Sequence, residues 1–255
     1  MQNAALAAAG IDMRYEAVDV APQHLAYVID SLRVQDAGGN VTVPHKQAAI
    51  RAMKSVSPIA KKVNAINTFG VSETGELHGD NTDVPGFNAF ARSVIGEIPK
   101  GARVAVLGAG GAAAAVLASA EEWNNATTTI FARRVDVAGD LAQRFNNIAG
   151  VEMMPLQHPI DCDIVVNATT IGLYDDQLPV PIDALPANAV VLDLVYKPGE
   201  TAWVRSAREA GRTAADGLEM LVEQGAASFE IWFGRSPDRA AMWKAVREAK
   251  TLPQR

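Results

Sequence analysis

A lysine and an aspartate stand in settings where they could do chemistry together. Lys46 closes the run Asn40-Val41-Thr42-Val43-Pro44-His45-Lys46, and Asp83 closes Gly79-Asp80-Asn81-Thr82-Asp83. Reducing a carbonyl requires a hydride and a proton for the new oxygen. An ammonium can stabilise the developing alkoxide or relay that proton, while a carboxylate can hold a substrate hydroxyl and orient the ammonium. Taken singly, Lys46 also reads as a surface lysine at a helix start, and Asp83 as a helix cap before Val84-Pro85. Both runs precede the glycine-rich stretch Gly108-Ala109-Gly110-Gly111-Ala112. Polar groups for a small substrate followed by a dinucleotide turn predict one site assembled between two domains, and a soluble dehydrogenase.

The turn itself carries a mechanism. Gly108, Gly110 and Ala113 fit G-x-G-x-x-G/A directly between an apolar run and an Ala-rich one. The first glycine permits the tight turn, the second lets backbone approach a pyrophosphate, and the small third residue lets helix and strand pack closely. The alternative is a glycine turn that only packs a helix on a sheet. The tip of the next strand separates NAD from NADP. Ile130-Phe131-Ala132-Arg133-Arg134 has no carboxylate for a ribose hydroxyl there, although Asp136 follows closely. Two guanidinium groups suit a 2′-phosphate, so NADP is the expected cofactor; a solvated arginine pair is the bland reading.

Elements that must position these groups follow from periodicity. Helices are expected over Asn3 to Ala9 (stopped by Gly10), 23–34, 47–56 and 84–98, and over Leu218 to Gly234 and Asp238 to Lys250. Tyr15 to Val20, Asn40 to Val43, Asn64 to Phe69 and Glu76 to Gly79 read as short strands. Strands at 103–107, near 127–131, 163–167 and 189–194 alternate with helical stretches, which predicts a parallel sheet with helices on both faces. The last helices are expected to return to the first domain.

Bulk properties exclude several alternatives. The 255 residues are 49% hydrophobic and 20% charged, ordinary for a globular α/β protein. A net charge of -6 with scattered basic residues argues against nucleic acid as a partner. One cysteine, Cys162, permits no internal disulfide framework and fits a cytoplasmic location, and neither it nor the four histidines shows metal-ligand spacing. No apolar run approaches a membrane span, and the first ten residues lack a positively charged leader.

Together these motifs resemble the shikimate dehydrogenase family. The resemblance rests on residues 40–46, Asn64-Ala65-Ile66-Asn67-Thr68, residues 79–83 with Gly86, and residues 108–112. It extends to Asn167-Ala168-Thr169-Thr170-Ile171-Gly172, Asp193-Leu194-Val195-Tyr196-Lys197-Pro198 and Asp216-Gly217-Leu218-Glu219-Met220-Leu221-Val222-Glu223-Gln224. Seven motifs in the family's order are far more specific than any one. The resemblance implies an N-terminal α/β substrate domain, residues 1–83 completed by C-terminal helices within 217–255, and a Rossmann-type NADP domain over 84–216. It implies Lys46 and Asp83 as the catalytic pair, with Thr42, Asn67, Asp83, Tyr196 and Gln224 on the substrate hydroxyls. Gly108, Ala109, Gly110, Gly111, Ala112, Arg133, Arg134, Leu194 and Gly217 would contact NADP. The implied reaction is the reversible reduction of 3-dehydroshikimate to shikimate, in a monomer or homodimer working on a small molecule. Alternatives are a relative acting on quinate or another hydroxylated ring acid, and a non-catalytic NADP(H)-binding protein.

Three departures accompany the resemblance. His45 stands where the family often has an aromatic residue, and Ala132-Arg133-Arg134 replaces its usual Asn-Arg-Thr. The family also begins with a strand and a Ser-x-Ser segment ahead of the first helix, whereas this chain begins inside that helix. The expectation is a natural start upstream of Met1.

Overall fold

A computed structural model describes residues 1–156 and 158–249, and these divide into two compact units: residues 1–86 with the described residues from 222 onward, and the described residues of 87–221.

In the first unit, helix α1 (Gln2–Ala8) is built from good helix formers and is followed by Gly10 at φ +65°. A single 3₁₀ turn, Pro22–His24, leads into α2 (Leu25–Val34), whose Leu25 and Ile29 lie four apart and are buried together. Strand β1 (Gly39–Asn40) is followed by a 3₁₀ stretch, Ala48–Ala52, and by β2 (Ser55–Val56). Helix α3 (Pro58–Val63) has a complete set of end signals: Ser57 accepts from the Ala60 N–H, Pro58 opens the first turn, and Asn64 closes it in the left-handed region. Strands β3 (Thr68–Val71) and β4 (Leu77–Asp80) form an antiparallel hairpin. The sheet order is β1-β3-β4-β2, with only β2–β4 parallel. Leu25, Ile29, Ile66, Phe69 and Leu77 centre its core. Helix α4 (Asp83–Ile95) opens in this unit and continues into the second.

Three expectations fail here. Tyr15 to Val20 forms no strand. No described strand pairs with it, and Asn3 instead binds both backbone groups of Tyr15, accepting from its N–H at 2.7 Å and donating to its carbonyl at 2.9 Å. The strand expected over Asn40 to Val43 pairs only through Asn40, because the chain then turns, with the His45 N–H donating to the Thr42 carbonyl. The helix expected over 47–56 is a short 3₁₀ stretch that gives way to β2.

The second unit is a six-stranded parallel sheet. Its strands are β5 (Arg103–Leu107), β6 (Thr127–Ala132), β7 (Ile148–Met153), β8 (Ile164–Asn167), β9 (Val190–Asp193) and β10 (Ala214–Asp216). Their order, β10-β9-β8-β5-β6-β7, is that of a doubly wound fold, and the order reverses between β5 and β8. In such sheets ligands bind outside the carboxyl ends of the strands at that reversal. Helix α5 (Gly111–Glu121) follows β5 and buries every residue from Ala113 to Ala120; side chains this small let it lie close to the sheet. Helices α6 (Val135–Ala142) and α7 (Ala202–Glu209) complete the described α-helical crossovers. Strands β7 and β10 were not foreseen in the sequence.

Helix α8 (Leu218–Phe233) carries the chain back to the first unit, where α9 (Arg239–Glu248) begins from an Asp238 cap on the Ala241 N–H. The helix expected to reach Lys250 ends within the described residues at Glu248, and Lys250 lies outside them. Among the described residues no helix is long and apolar enough to cross a membrane, and no group of His, Cys, Asp or Glu could hold a metal ion.

Candidate active site

The first unit brings Lys46 and Asp83 together. The Lys46 Nζ donates to Asp83 Oδ2 at 2.7 Å, with the two side chains 19% and 7% exposed. Backbone geometry explains the meeting. The Ile66 N–H donates to the Lys46 carbonyl at 3.0 Å, and the Val41 N–H donates to the Asn67 carbonyl at 2.8 Å. The 41–46 loop is thus stitched to both sides of Asn67. Asp83 is the first residue of α4, where the free N–H groups and the helix dipole favour a negative charge. Its own N–H donates to Asn81 Oδ1 at 3.1 Å, and Asn81 Nδ2 donates to the Ala65 carbonyl.

Asn67 completes the cluster. The backbone N–H of Thr82 can only donate, so the Asn67 atom 2.7 Å from it is the oxygen Oδ1. Nδ2 is thereby turned to Asp83 Oδ1, at 2.9 Å, and to Gln224 Oε1, at 3.5 Å. Gln224 reaches this point because Gly86 lets α8 come close: a Cβ on Gly86 would lie 2.7 Å from the Gln224 Cβ. Thr42 is exposed on the loop that delivers Lys46. The fifth residue expected on substrate hydroxyls, Tyr196, is buried in the second unit; the first unit gathers Lys46 and Asn67 on the Asp83 carboxylate, with Gln224 on the Asn67 amide. His45, one of the departures in sequence, places a ring nitrogen 2.7 Å from the Val20 carbonyl and ties the irregular 12–20 segment to the loop.

The second unit presents a different surface. The Gly108 N–H donates to the Phe131 carbonyl, holding the start of the turn against β6. Gly108 has φ +113°, and a Cβ there would lie 2.9 Å from the Ala168 carbonyl oxygen, so only glycine fits. Gly110, exposed at the N-cap of α5, and Gly111, its first residue, have nothing beyond their own chain neighbours and helix backbone within 4 Å of where a Cβ would stand. That open space above free helix N–H groups is where a pyrophosphate can approach backbone. Ala109 and Ala112 flank it, half-buried. Arg133 and Arg134 are exposed just past the end of β6 and make no ion pair among the described residues. Gly217 sits against the other turn, where a Cβ would come within 2.5 Å of the Leu194 carbonyl oxygen. The residues present fit a phosphorylated dinucleotide.

Beneath these turns lies a polar network whose residues stand out in the sequence only as members of the motifs at 167–172 and 193–198. Buried Asp193 accepts from Asn167 Nδ2 (2.8 Å), the Val195 N–H (3.0 Å) and the Thr201 hydroxyl (2.7 Å). Burial pushes its carboxyl up to about 6, against those three hydrogen bonds, which favour the charged form. Asn167 also accepts from the Thr169 N–H and hydroxyl, fixing the loop whose Ala168 carbonyl meets Gly108. Also missed were the polar groups behind Asn67. Ser228 stands one helical turn after Gln224, a spacing that could have flagged it.

Family models match both ends of the chain: "Shikimate dehydrogenase substrate binding domain" over residues 1–69 and "Shikimate 5′-dehydrogenase C-terminal domain" over residues 217–247. Shikimate dehydrogenase (NADP(+)) of Shouchella clausii is 36% identical, across 97% of this chain and 92% of its own length. The crystal structure of shikimate 5-dehydrogenase from Thermus thermophilus in complex with NADP(H) and shikimate superposes with a TM-score of 0.85 at 36% identity, covering 96% of this chain and 91% of that one. A ligand-free 5-ketofructose reductase of Gluconobacter sp. strain CHM43 superposes with a TM-score of 0.84 at 34% identity, over 95% and 90% of the two chains.

Proposed function

The chain belongs to the shikimate dehydrogenase family, and on that premise we propose that it is an NADP-dependent shikimate dehydrogenase. The reaction is the reversible reduction of 3-dehydroshikimate to shikimate, a step toward chorismate and the aromatic amino acids. The single observation that carries the reading is the Lys46–Asp83 pair at 2.7 Å with the Asn67 amide on the other carboxylate oxygen.

When bound, NADPH supplies the hydride. The chain's own residues do the rest. The Lys46 ammonium polarises the ring carbonyl and gives its proton to the new oxygen. Its side chain is 19% exposed, so water can return that proton. Asp83 holds the ammonium in place with Oδ2 and, with Asn67, Thr42, Tyr196 and Gln224, binds the ring hydroxyls. The backbone from Gly108 to Ala112 takes the pyrophosphate, Arg133 and Arg134 take the 2′-phosphate, and Leu194 and Gly217 line the cofactor. Residues 1–83 with 217–255 form the substrate domain and residues 84–216 the NADP domain. The enzyme acts in the cytoplasm as a monomer or homodimer on a small molecule.

A second reading keeps the chemistry and changes the ketone. It is favoured by the likeness to a 5-ketofructose reductase, a name that specifies a sugar ketone in place of a ring acid. One assay separates the two: protein and NADP with shikimate, then with quinate, and protein and NADPH with 5-ketofructose, following reduced nicotinamide by absorbance. Turnover with shikimate at the highest kcat/KM is expected. NADP binding without turnover of shikimate would remove the first reading.

A further inference from the structure

The polar groups behind Asn67 form one continuous chain in the first unit, and its proton arrangement can be worked out atom by atom. Asn40 Nδ2 lies 3.1 Å from the Asn67 backbone carbonyl, which can only accept, so the Asn40 oxygen faces the other way and accepts from the Tyr15 hydroxyl at 3.0 Å. Asn40 Nδ2 also donates to Ser228 Oγ at 2.9 Å. Thr82 Oγ1 lies 3.1 Å from Asn67 Oδ1, already fixed as an acceptor, so the Thr82 hydroxyl donates there. The remaining contact, Thr82 Oγ1 to Ser228 Oγ at 3.1 Å, then has Ser228 as its donor, sharing its proton with the Gln224 carbonyl. Asn67 Nδ2 donates onward to Asp83 Oδ1.

We propose that Thr82, Ser228 and Asn40 are positioning residues for the Lys46–Asp83 pair, acting through Asn67 along a chain whose donors all point toward the Asp83 carboxylate. The sequence runs Tyr15, Asn40, Ser228, Thr82, Asn67, Asp83, and Lys46 closes it from the far side. Hydrogen bonds aligned in one direction polarise one another, and a low-dielectric setting strengthens each. Thr82, Ser228 and Asn67 are 1%, 0% and 2% exposed, so water does not compete. Burial also pushes the Tyr15 phenol up, which keeps it a donor. The chain joins β1, α8 and the residue ahead of α4, and it meets Asn67 at two points: the backbone carbonyl through Asn40 and the side-chain oxygen through Thr82.

The proposal rests on the pair being the catalytic one, and its test separates the two claims. Thr82→Val keeps the shape and removes the hydroxyl; Thr82→Ser keeps the hydroxyl; Ser228→Ala tests the next link and places a good helix former in α8. The probes are shikimate and NADP, together with the proton–nitrogen NMR signals of the Asn67 side-chain amide. Thr82→Val should shift those signals and lower kcat/KM about five- to ten-fold, chiefly in kcat, while Thr82→Ser stays within about threefold of the unmodified chain. Ser228→Ala should do the same to a lesser degree, and it carries the test if Thr82→Val does not fold. Unmoved amide signals with kcat within about twofold in the folded variants would overturn the proposal, as would Thr82→Ser behaving like Thr82→Val. Shifted amide signals in a chain that does not turn over shikimate would uphold the hydrogen-bond chain and remove the activity reading instead.

Discussion

In the first unit, Lys46 and Asn67 converge on the Asp83 carboxylate, with Gln224 on the Asn67 amide. In the second, the turn after β5 presents glycine and alanine where side chains would otherwise stand, and the Asp193 network is buried below. The two regions are therefore fragile in opposite ways. Subtracting an atom from Lys46, Asn67 or Asp83 leaves a largely buried partner without its hydrogen bond. Adding an atom to Gly108 or Gly110 fills space the backbone must occupy or expose. A substrate with several hydroxyls needs donors and acceptors at set points, whereas a pyrophosphate needs close backbone.

The sharpest test of that contrast removes the ammonium. Lys46→Ala should lower kcat by roughly 10²- to 10⁴-fold, the usual contribution of a positioned proton donor, with NADP affinity unchanged by fluorescence titration. A variant that loses both together would make the two regions one functional unit. Gly108→Ala comes next. It forces an alanine to φ +113° and puts its methyl 2.9 Å from the Ala168 carbonyl oxygen. Thermal unfolding should show a loss of about 1–3 kcal/mol, with weakened NADP binding. Gly110→Ala meets nothing within 4 Å beyond its own chain neighbours. Its melting temperature should match the unmodified chain while NADP affinity falls; equal damage to stability would mean that Gly110 serves only the fold.

How much of this could be read from residues alone differs between the regions for the same physical reason. The second unit is built from local signals. The apolar run 103–107, the glycine turn and the Ala-rich helix follow one another, so β5 and α5 were legible. The first unit depends on pairing between distant segments. Tyr15 to Val20 alternates like a strand, but whether a segment pairs is decided by its neighbours. Helix α3 was missed although Ser57-Pro58 and Asn64 mark both ends, because its six residues are too few for a periodic signal. Lys46 and Asp83 were legible as motif endings. The chain behind them was not: the bond from Asn40 to Ser228 joins residues 188 apart, and no spacing rule connects them.

A smaller effect probes what the second region recognises. Arg133 is exposed and makes no ion pair among the described residues. A charge-assisted hydrogen bond to a phosphate is worth about 1.5–3 kcal/mol, so Arg133→Ala should weaken NADP roughly ten- to a hundred-fold by titration and leave NAD nearly unchanged. Equal losses for both cofactors would place the 2′-phosphate elsewhere.

The smallest effect concerns the buried network under the turns, where the second region does hold a charge. Burial raises the Asp193 carboxyl to about 6 although three donors face it. A carboxyl raised on folding takes up a proton as the chain folds. Its contribution to stability is complete below the unfolded value near 3.8 and is lost as pH rises through about 6. Between about pH 5 and 7 the loss amounts to about 1 kcal/mol. Asp216, also raised by burial, pulls the same way, so the informative quantity is the difference between the unmodified chain and Asp193→Asn. Asparagine can still accept from Asn167 and Val195 with its oxygen and turn its amide toward the Thr201 hydroxyl. Denaturant titrations across that window should show the unmodified chain losing stability relative to the variant as pH rises. Parallel curves would mean that the three donors outweigh burial at Asp193.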